Sequence, residues 1–335
     1  MNGENVEVVM MYKYLGTLVE QYGRKAEVEE RIKKSQGVVN EIVQVCKSFE
    51  LSIIRLRYVN VLMESCLSSM VKYGCEMWDD LSAEEVNKLD NLRVKVIKRV
   101  LELPYSTPSA AVKYEFGLLD YSLEILMEKV LLAVKVLKSD DSRVAKQLLQ
   151  INLQNNVSGF SRQVVEICEN VFGCSLEVMV VMDGDLRSVL KEKLICKQGE
   201  RLRTQMLSQS KTDGLLMNSF NYNGKMKKYL QLPFAQARII FMVRCRMILV
   251  KDNFPGRWEG SLCNVCRRED TMEHLYKCPG FSDIISGSIS HEIFFSDDVD
   301  LESLQTAADI MVKVNERLKM LQELQRGKYF LGGSL

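Results

Sequence analysis

CNVCRREDTMEHLYKC, residues Cys263 to Cys278, is the stretch on which the reading of this chain turns. Cys263 and Cys266 form a C-x2-C pair, seven residues separate Cys266 from His274, and three more separate His274 from Cys278. Thiolate sulfur and imidazole nitrogen are ligands that zinc takes in tetrahedral sets of four. The first pair suits a tight knuckle with both sulfurs aimed at one ion. The second pair suits a helix, because residues four apart lie one turn apart on the same face. Asp270 is the expected N-cap of that helix, with Glu273 as its reciprocal partner, and Pro279-Gly280 the expected stop. The competing reading is ordinary burial of three cysteines. Against it, His274 is one of only two histidines in the chain and falls at ligand spacing. The four positions predict one structural zinc ion, because no coordination site is left open for water or substrate. Arg267, Arg268 and Lys277 beside it favour the thiolate forms.

Outward from this motif, 335 residues are enough for two or three packed units. With 47% of residues hydrophobic, a sizeable core is expected rather than wholesale disorder. The opening MNGENVEVVMMYKYLG has no basic n-region and no continuous apolar segment, so it does not read as a signal peptide. The longest apolar run, Ile239 to Val250, is interrupted by Arg244 and Arg246 and is too short to span a bilayer. The expected location is cytoplasmic or nuclear, not secreted, with no membrane partner. Cysteines there stay reduced, so Cys46, Cys66, Cys75, Cys168, Cys174, Cys196 and Cys245 are expected as small core residues.

The net charge is only +1, but its distribution is uneven. Residues 187–277 hold eighteen Lys or Arg against eight Asp or Glu, a balance of +10, and the remainder carries −9. Such asymmetry points to a nucleic-acid surface. Lys193, Lys197 and Arg201 fall at i, i+4 and i+8 and would form one stripe on a continuous helix, although Gly199 interrupts it; an ordinary solvated face is the plainer reading. Candidate nucleic-acid contacts are these three with Arg203, Arg238, Arg244, Arg246, Lys251, Arg257, Arg267, Arg268 and Lys277. Arg244 and Arg246 break an apolar run, where a charge is costly without solvent or a partner. Ion pairs to acids of the helical bundle are the structural alternative for both.

The fold class expected from these patterns is mainly α: a helical bundle with a small N-terminal β-hairpin and a C-terminal zinc knuckle. Residues 5–19 have β character, with Gly16 at a bulge or close backbone approach. From Ala26 the period turns helical through Val28, Ile32, Val38 or Val39, Ile42 and Cys46. A second helix runs from Ser52 to Tyr73. A third opens on the capping box Ser82/Glu85 and ends near Leu101. Thr107-Pro108 opens a short helix closed by Gly117, and Asp120 caps the next, which lasts to Lys138. Residues 139–160 read as a boundary, Ser161 to Val171 as a helix, Asn221 to Lys228 as a basic loop and Pro233 as a helix start. Residues 281–300 read as irregular, and Leu301 to Leu324 as an amphipathic helix returning to the bundle. Five segments result: a hairpin (1–23), a helical bundle (24–140), a helical linker with the basic block (141–258), a CCHC zinc knuckle (259–282), and a loop with an amphipathic helix (283–335).

Four stretches together resemble the C-terminal part of a non-LTR (LINE-type) retrotransposon reverse transcriptase. Tyr12-Lys13-Tyr14-Leu15-Gly16, then Gly23 and Glu30-Arg31-Ile32, looks like the end-of-palm hairpin leading into the thumb. Tyr73-Gly74-Cys75-Glu76-Met77-Trp78 is similar to the YGxExW segment. Arg244, Arg246, Met247, Lys251, Asn253 and Phe254 look like the basic segment before the zinc motif. Cys263, Cys266, Glu273-His274-Leu275 and Cys278-Pro279 look like the motif itself, with three residues before the last Cys where that family has four. The likeness is weak over 139–225. It implies a helical thumb-like module, a cationic linker and a zinc knuckle that grip RNA or DNA.

The family's catalytic aspartates belong to an aromatic-x-Asp-Asp hairpin upstream of the YLG segment, and this chain begins almost at YLG. Phe295-Ser296-Asp297-Asp298 matches that pattern but lies beyond the zinc motif, without the converging carboxylates that two-metal chemistry needs. It reads as chance, with Asp298 or Asp300 capping the last helix; Trp78-Asp79-Asp80 reads as a loop. The expected function is a truncated retrotransposon-derived protein that binds RNA or DNA and is not an enzyme. The alternative is a zinc-stabilised helical protein-interaction module with no nucleic-acid role.

Overall fold

The computed structural model describes residues 9–14, 16–20, 25–48, 56–78, 81–155, 159–208, 214–254, 260–285, 289–296 and 299–331. The fold is mainly helical, with one two-stranded antiparallel sheet near the N-terminus. Strands β1 (Met11–Tyr14) and β2 (Thr17–Glu20) pair Met11 with Glu20 and Tyr14 with Thr17. Gly16, at φ +88, lies in the two-residue turn between them rather than at a bulge. A turn this short needs a residue with positive φ, which glycine adopts without steric cost.

The chain forms two compact units. The first comprises Met1–Gln44, Val61–Val96 and Leu119–Gln198, and the second Val45–Asn60, Ile97–Leu118 and Gly199–Leu335. These units interleave along the sequence and are drawn differently from the five segments expected above.

In the first unit, a buried ion pair ties the hairpin to the helix Lys25–Ser48. Glu27 accepts from Leu18 N at 2.8 Å and from Arg31 Nη2 at 2.6 Å. Val28, Ile32, Val39 and Ile42 face inward at helical spacing, which settles Val38 or Val39 in favour of Val39. The segment read as one helix to Tyr73 is Leu56–Leu62, a π-helical stretch Met63–Ser68, and Ser69–Lys72; Ser52 lies outside the described residues. The capping box at Ser82 and Glu85 forms in both directions. That helix stops at Asp90 and a new one runs Leu92–Val100. Asn91 Nδ2 donates back to Asn87 O at 2.8 Å and Oδ1 at 2.6 Å, and such local bonds compete with helical continuity.

Asp120 takes the N-cap position of Tyr121–Leu137, without the side-chain cap bond. The region read as a boundary instead contains the helix Val144–Asn155, which packs with Gly159–Asn170 and Leu176–Val181 on Tyr121–Leu137. Leu123, Val130, Leu149, Val164, Cys168, Phe172 and Met179 form this core. Arg93 reaches into the unit, donating to Glu124 Oε1 at 2.6 Å and Leu119 O at 2.8 Å, with the Tyr121 ring centroid 4.0 Å away.

In the second unit, Pro108 precedes the helix Ser109–Phe116, and Gly117 closes it at φ +62. Pro233 caps Phe234–Arg244, whose Ile239, Ile240, Phe241 and Val243 are fully or almost fully buried. The long helix Leu301–Leu331 packs on it through Leu304, Ala307, Met311 and Val314. Asp300 caps this last helix, its Oδ1 accepting from Ser303 N at 2.8 Å. Among the described residues of 281–300, read as irregular, the 3-10 turn His291–Phe294 forms on buried Phe294 and Phe295, and buried Phe281 ends the preceding turn Pro279–Phe281. Of the seven cysteines read as core, Cys46, Cys75, Cys168 and Cys245 are buried and Cys174 half-buried, whereas Cys66 and Cys196 are exposed.

Candidate metal centre and cationic residues

Two local structures in the second unit bring the four expected ligands together. The first is a turn closed by backbone bonds. Cys263 N donates to Arg268 O at 2.6 Å, and Arg267 N donates to Cys263 O at 3.0 Å. Arg267 sits at φ +63, the left-handed conformation that folds this turn back on itself. The second is the four-residue helix Met272–Leu275, which carries His274. Its N-cap is Thr271, whose Oγ1 accepts from His274 N at 3.1 Å, not Asp270. Asp270 is buried and does another job: its Oδ2 accepts from Lys251 N at 3.0 Å. Burial raises its carboxyl above the usual range. The helix ends before Cys278, which instead begins the 3-10 turn of Pro279, so the two later ligands do not share one helix.

The four donor atoms lie within 4.8 Å of one another. Cys278 Sγ is 3.9 Å from both Cys263 Sγ and Cys266 Sγ. Tetrahedral zinc with Zn–S bonds of about 2.3 Å sets its sulfurs about 3.8 Å apart, so the spacing and the donor chemistry both fit. Cys266 Sγ and His274 Nε2 are 3.1 Å apart. Cys263 and Cys278 are buried, and Cys266 and His274 half-buried. The N–H of Arg268 holds the Cys266 thiol below its ordinary range, while burial pushes Cys278 up to about 12.

The surrounding shell is tight. A Cβ on Gly280 would come within 2.5 Å of Val265 Cγ1, so only glycine lets the Cys278 turn approach the first knuckle. Arg317 on the last helix clamps the same turn, donating to Gly280 O at 3.1 Å and to both Asp283 oxygens at 2.6 and 2.7 Å. A cavity of about 30 Å³ beside the cluster is lined by Cys263, His274, Cys278, Lys251, Leu318 and Gln322, among others. Thr271 and Arg317 were not singled out from the sequence, and Gly280 was read only as part of a helix stop. The Thr271-x-x-His274 spacing was a legible cap signal; the other two depend on tertiary approach.

The cationic candidates divide. Arg244 is 2% exposed and structural. Its Nε donates to Glu115 Oε1 at 2.9 Å and its Nη1 to Phe294 O at 2.6 Å, under the Tyr229 and Phe295 rings. This corrects its reading as a nucleic-acid contact: a buried guanidinium with its partners in place reaches no phosphate. Arg246, at φ +53, pairs with Asp252 and donates to Asn253 Oδ1 at 3.2 Å. Arg238 donates to Leu101 O at 2.7 Å.

The helix Leu186–Leu207 runs through Gly199 unbroken, so the expected stripe has a continuous backbone. Lys193 and Lys197, however, donate to Phe172 O and Asn170 O, at the carbonyl end of Gly159–Asn170, where positive charge is favoured. Arg201 and Arg203 are exposed, as are Arg267, Arg268 and Lys277 around the knuckle; Lys251 is half-buried. Arg257, with Asp79, Asp80, Asp297 and Asp298, lies outside the described residues. Among the described residues no helix is long and apolar enough to cross a membrane.

No protein-family model, curated protein or solved structure matches this chain.

Proposed function

We propose that this protein is a nucleic-acid-binding module, derived from the C-terminal part of a non-LTR retrotransposon reverse transcriptase, whose knuckle is held by one structural zinc ion. The observation that carries the reading is the placement of Arg267, Arg268 and Lys277. All three are exposed on the short segment between and beside the metal ligands. Zinc fits the donor set as a closed site, so it would serve as a fold-determining ion and supply no open position for chemistry. Phosphate contacts from these cations provide affinity and position, and sequence choice rests on base contacts elsewhere. The proposal contains no catalytic step and places the protein in the cytoplasm or nucleus.

The experiment is binding of labelled RNA and DNA oligonucleotides to the zinc-loaded protein and to the triple variant Arg267→Ala, Arg268→Ala, Lys277→Ala. The triple variant is expected to lose at least about tenfold in affinity, since each contact neutralises a phosphate. Unchanged affinity with zinc still bound would overturn the reading.

A second reading is favoured by a specific observation, the engagement of Arg244 by a buried carboxylate and of Lys193 and Lys197 by backbone carbonyls of the chain itself. On that reading the basic block is architectural and the protein binds another protein. It predicts no oligonucleotide binding by the parent.

A further inference from the structure

The loop 101–108 of the second unit carries Tyr105, whose side chain is 97% exposed. Single exposed apolar side chains are ordinary on protein surfaces. This one is set apart by how firmly its backbone is held. Lys98 Nζ donates to Tyr105 O at 3.2 Å and lies 5.7 Å from the ring centroid. Arg238 donates through Nε to Leu101 O at 2.7 Å and through Nη2 to Glu102 O at 3.3 Å. Thr107 N donates to Pro104 O at 3.0 Å and closes the turn. Glu102 is held at φ +50, a conformation unfavourable for a residue with a side chain. The left-handed Glu102 closes the end of Leu92–Val100, with Leu103 N donating to Lys98 O at 2.8 Å, and the two cations fix the loop that follows and projects the ring into water.

The charge around the ring is also lopsided. Lys98 and Arg238 bond to carbonyl oxygens rather than carboxylates, so those bonds leave their charge in place. Glu102 is the one acid of residues 101–108, and its charge acts on Arg238. An exposed aromatic ring over a cationic base offers what an unpaired nucleotide needs, a stacking face for the base and a positive field for the phosphate. In a duplex both faces of each interior base are covered by its neighbours.

We propose that Tyr105 is a stacking platform for an unpaired base of a single-stranded nucleic acid, with Lys98 and Arg238 fixing the loop and supplying the field for the adjacent phosphate. This rests on the nucleic-acid reading above and adds to it the strand class and a residue outside the basic block.

The test is fluorescence anisotropy with three probes of equal length: a single-stranded oligonucleotide, the same strand made abasic, and the duplex. The full chain is compared with Tyr105→Ala and Tyr105→Phe. Tyr105→Ala is expected to weaken the single strand by at least about fivefold, to leave the abasic strand and the duplex unchanged, and to melt at the parent temperature. Tyr105→Phe is expected to bind as the parent does, because the ring and not the hydroxyl stacks. Parent-like binding of the single strand by Tyr105→Ala would overturn the platform and leave the knuckle reading intact. An equal loss on the abasic strand would overturn it too, since that effect needs no base. No binding of any probe by the parent would remove both proposals.

Discussion

Arg244 shows how one side chain decides between two accounts of a charge in an apolar run. Its neighbours Ile239 to Val250 announce burial, and a buried guanidinium persists only when paired and hydrogen-bonded. Glu115 supplies the pair from a helix far away in sequence, and Tyr229 OH donates to the other oxygen of that carboxylate at 2.9 Å. Burial by itself would lower Arg244, but the charge of Glu115 outweighs it and raises Arg244 further above its ordinary range, so the guanidinium stays charged at any working pH. Arg244→Ala leaves Glu115 uncompensated and is expected to cost about 3–5 kcal/mol, read as a fall in denaturation midpoint at constant slope. A variant as stable as the parent would contradict the buried pair.

Cys278 makes a second residue-scale prediction. Burial raises its thiol to about 12, so near neutral pH the metal must displace a proton to gain this ligand. Metal affinity should therefore rise with pH and weaken from pH 7.5 to pH 6, as measured by competition with a chromophoric chelator. Affinity independent of pH would exclude thiolate ligation.

At the scale of elements, local chemistry was legible where the signal lay within a few residues. The capping box of Ser82 and Glu85, the helix end at Gly117 and the four ligand positions were readable from spacing alone, and Asp300 was one of two caps left open for the last helix. What was not legible came from competition or from distant partners. Thr271 displaced Asp270 as the helix cap because Asp270 was taken by the backbone of Lys251, nineteen residues away. Lys193 and Lys197 looked like a binding stripe, and their carbonyl partners lie at the last residue of another helix and in the turn after it. Val144–Asn155 was hidden by the Ser and Asn that flank it, which marked turns without revealing the helix between them.

The knuckle itself is too short to fold on apolar burial alone: its helix has four residues and its strand pairing is the single bridge of Leu262 with Glu269. Metal removal should therefore loosen residues 260–281. Hydrogen exchange with and without chelator is expected to show faster exchange there and unchanged protection in Tyr121–Leu137, and His274→Ala should reproduce it. Equal protection of the knuckle in both states would show that the metal does not hold it.

At the scale of the whole molecule, the charge split remains the central feature, with +10 over residues 187–277 in a chain of net charge +1. Part of that charge is internal, as Arg244 shows, and part is exposed, as on Arg267, Arg268 and Lys277. The two fractions differ in one measurable quantity, the slope of log affinity for an RNA oligonucleotide against log salt. Binding through phosphate neutralisation releases counterions, so the parent should show a steep negative slope. Arg268→Ala should make it shallower by roughly one unit, while Arg244→Ala, once corrected for its folded fraction, should leave it unchanged. A parent slope near zero, or no binding at low salt, would contradict the account that this protein grips nucleic acid through its zinc knuckle.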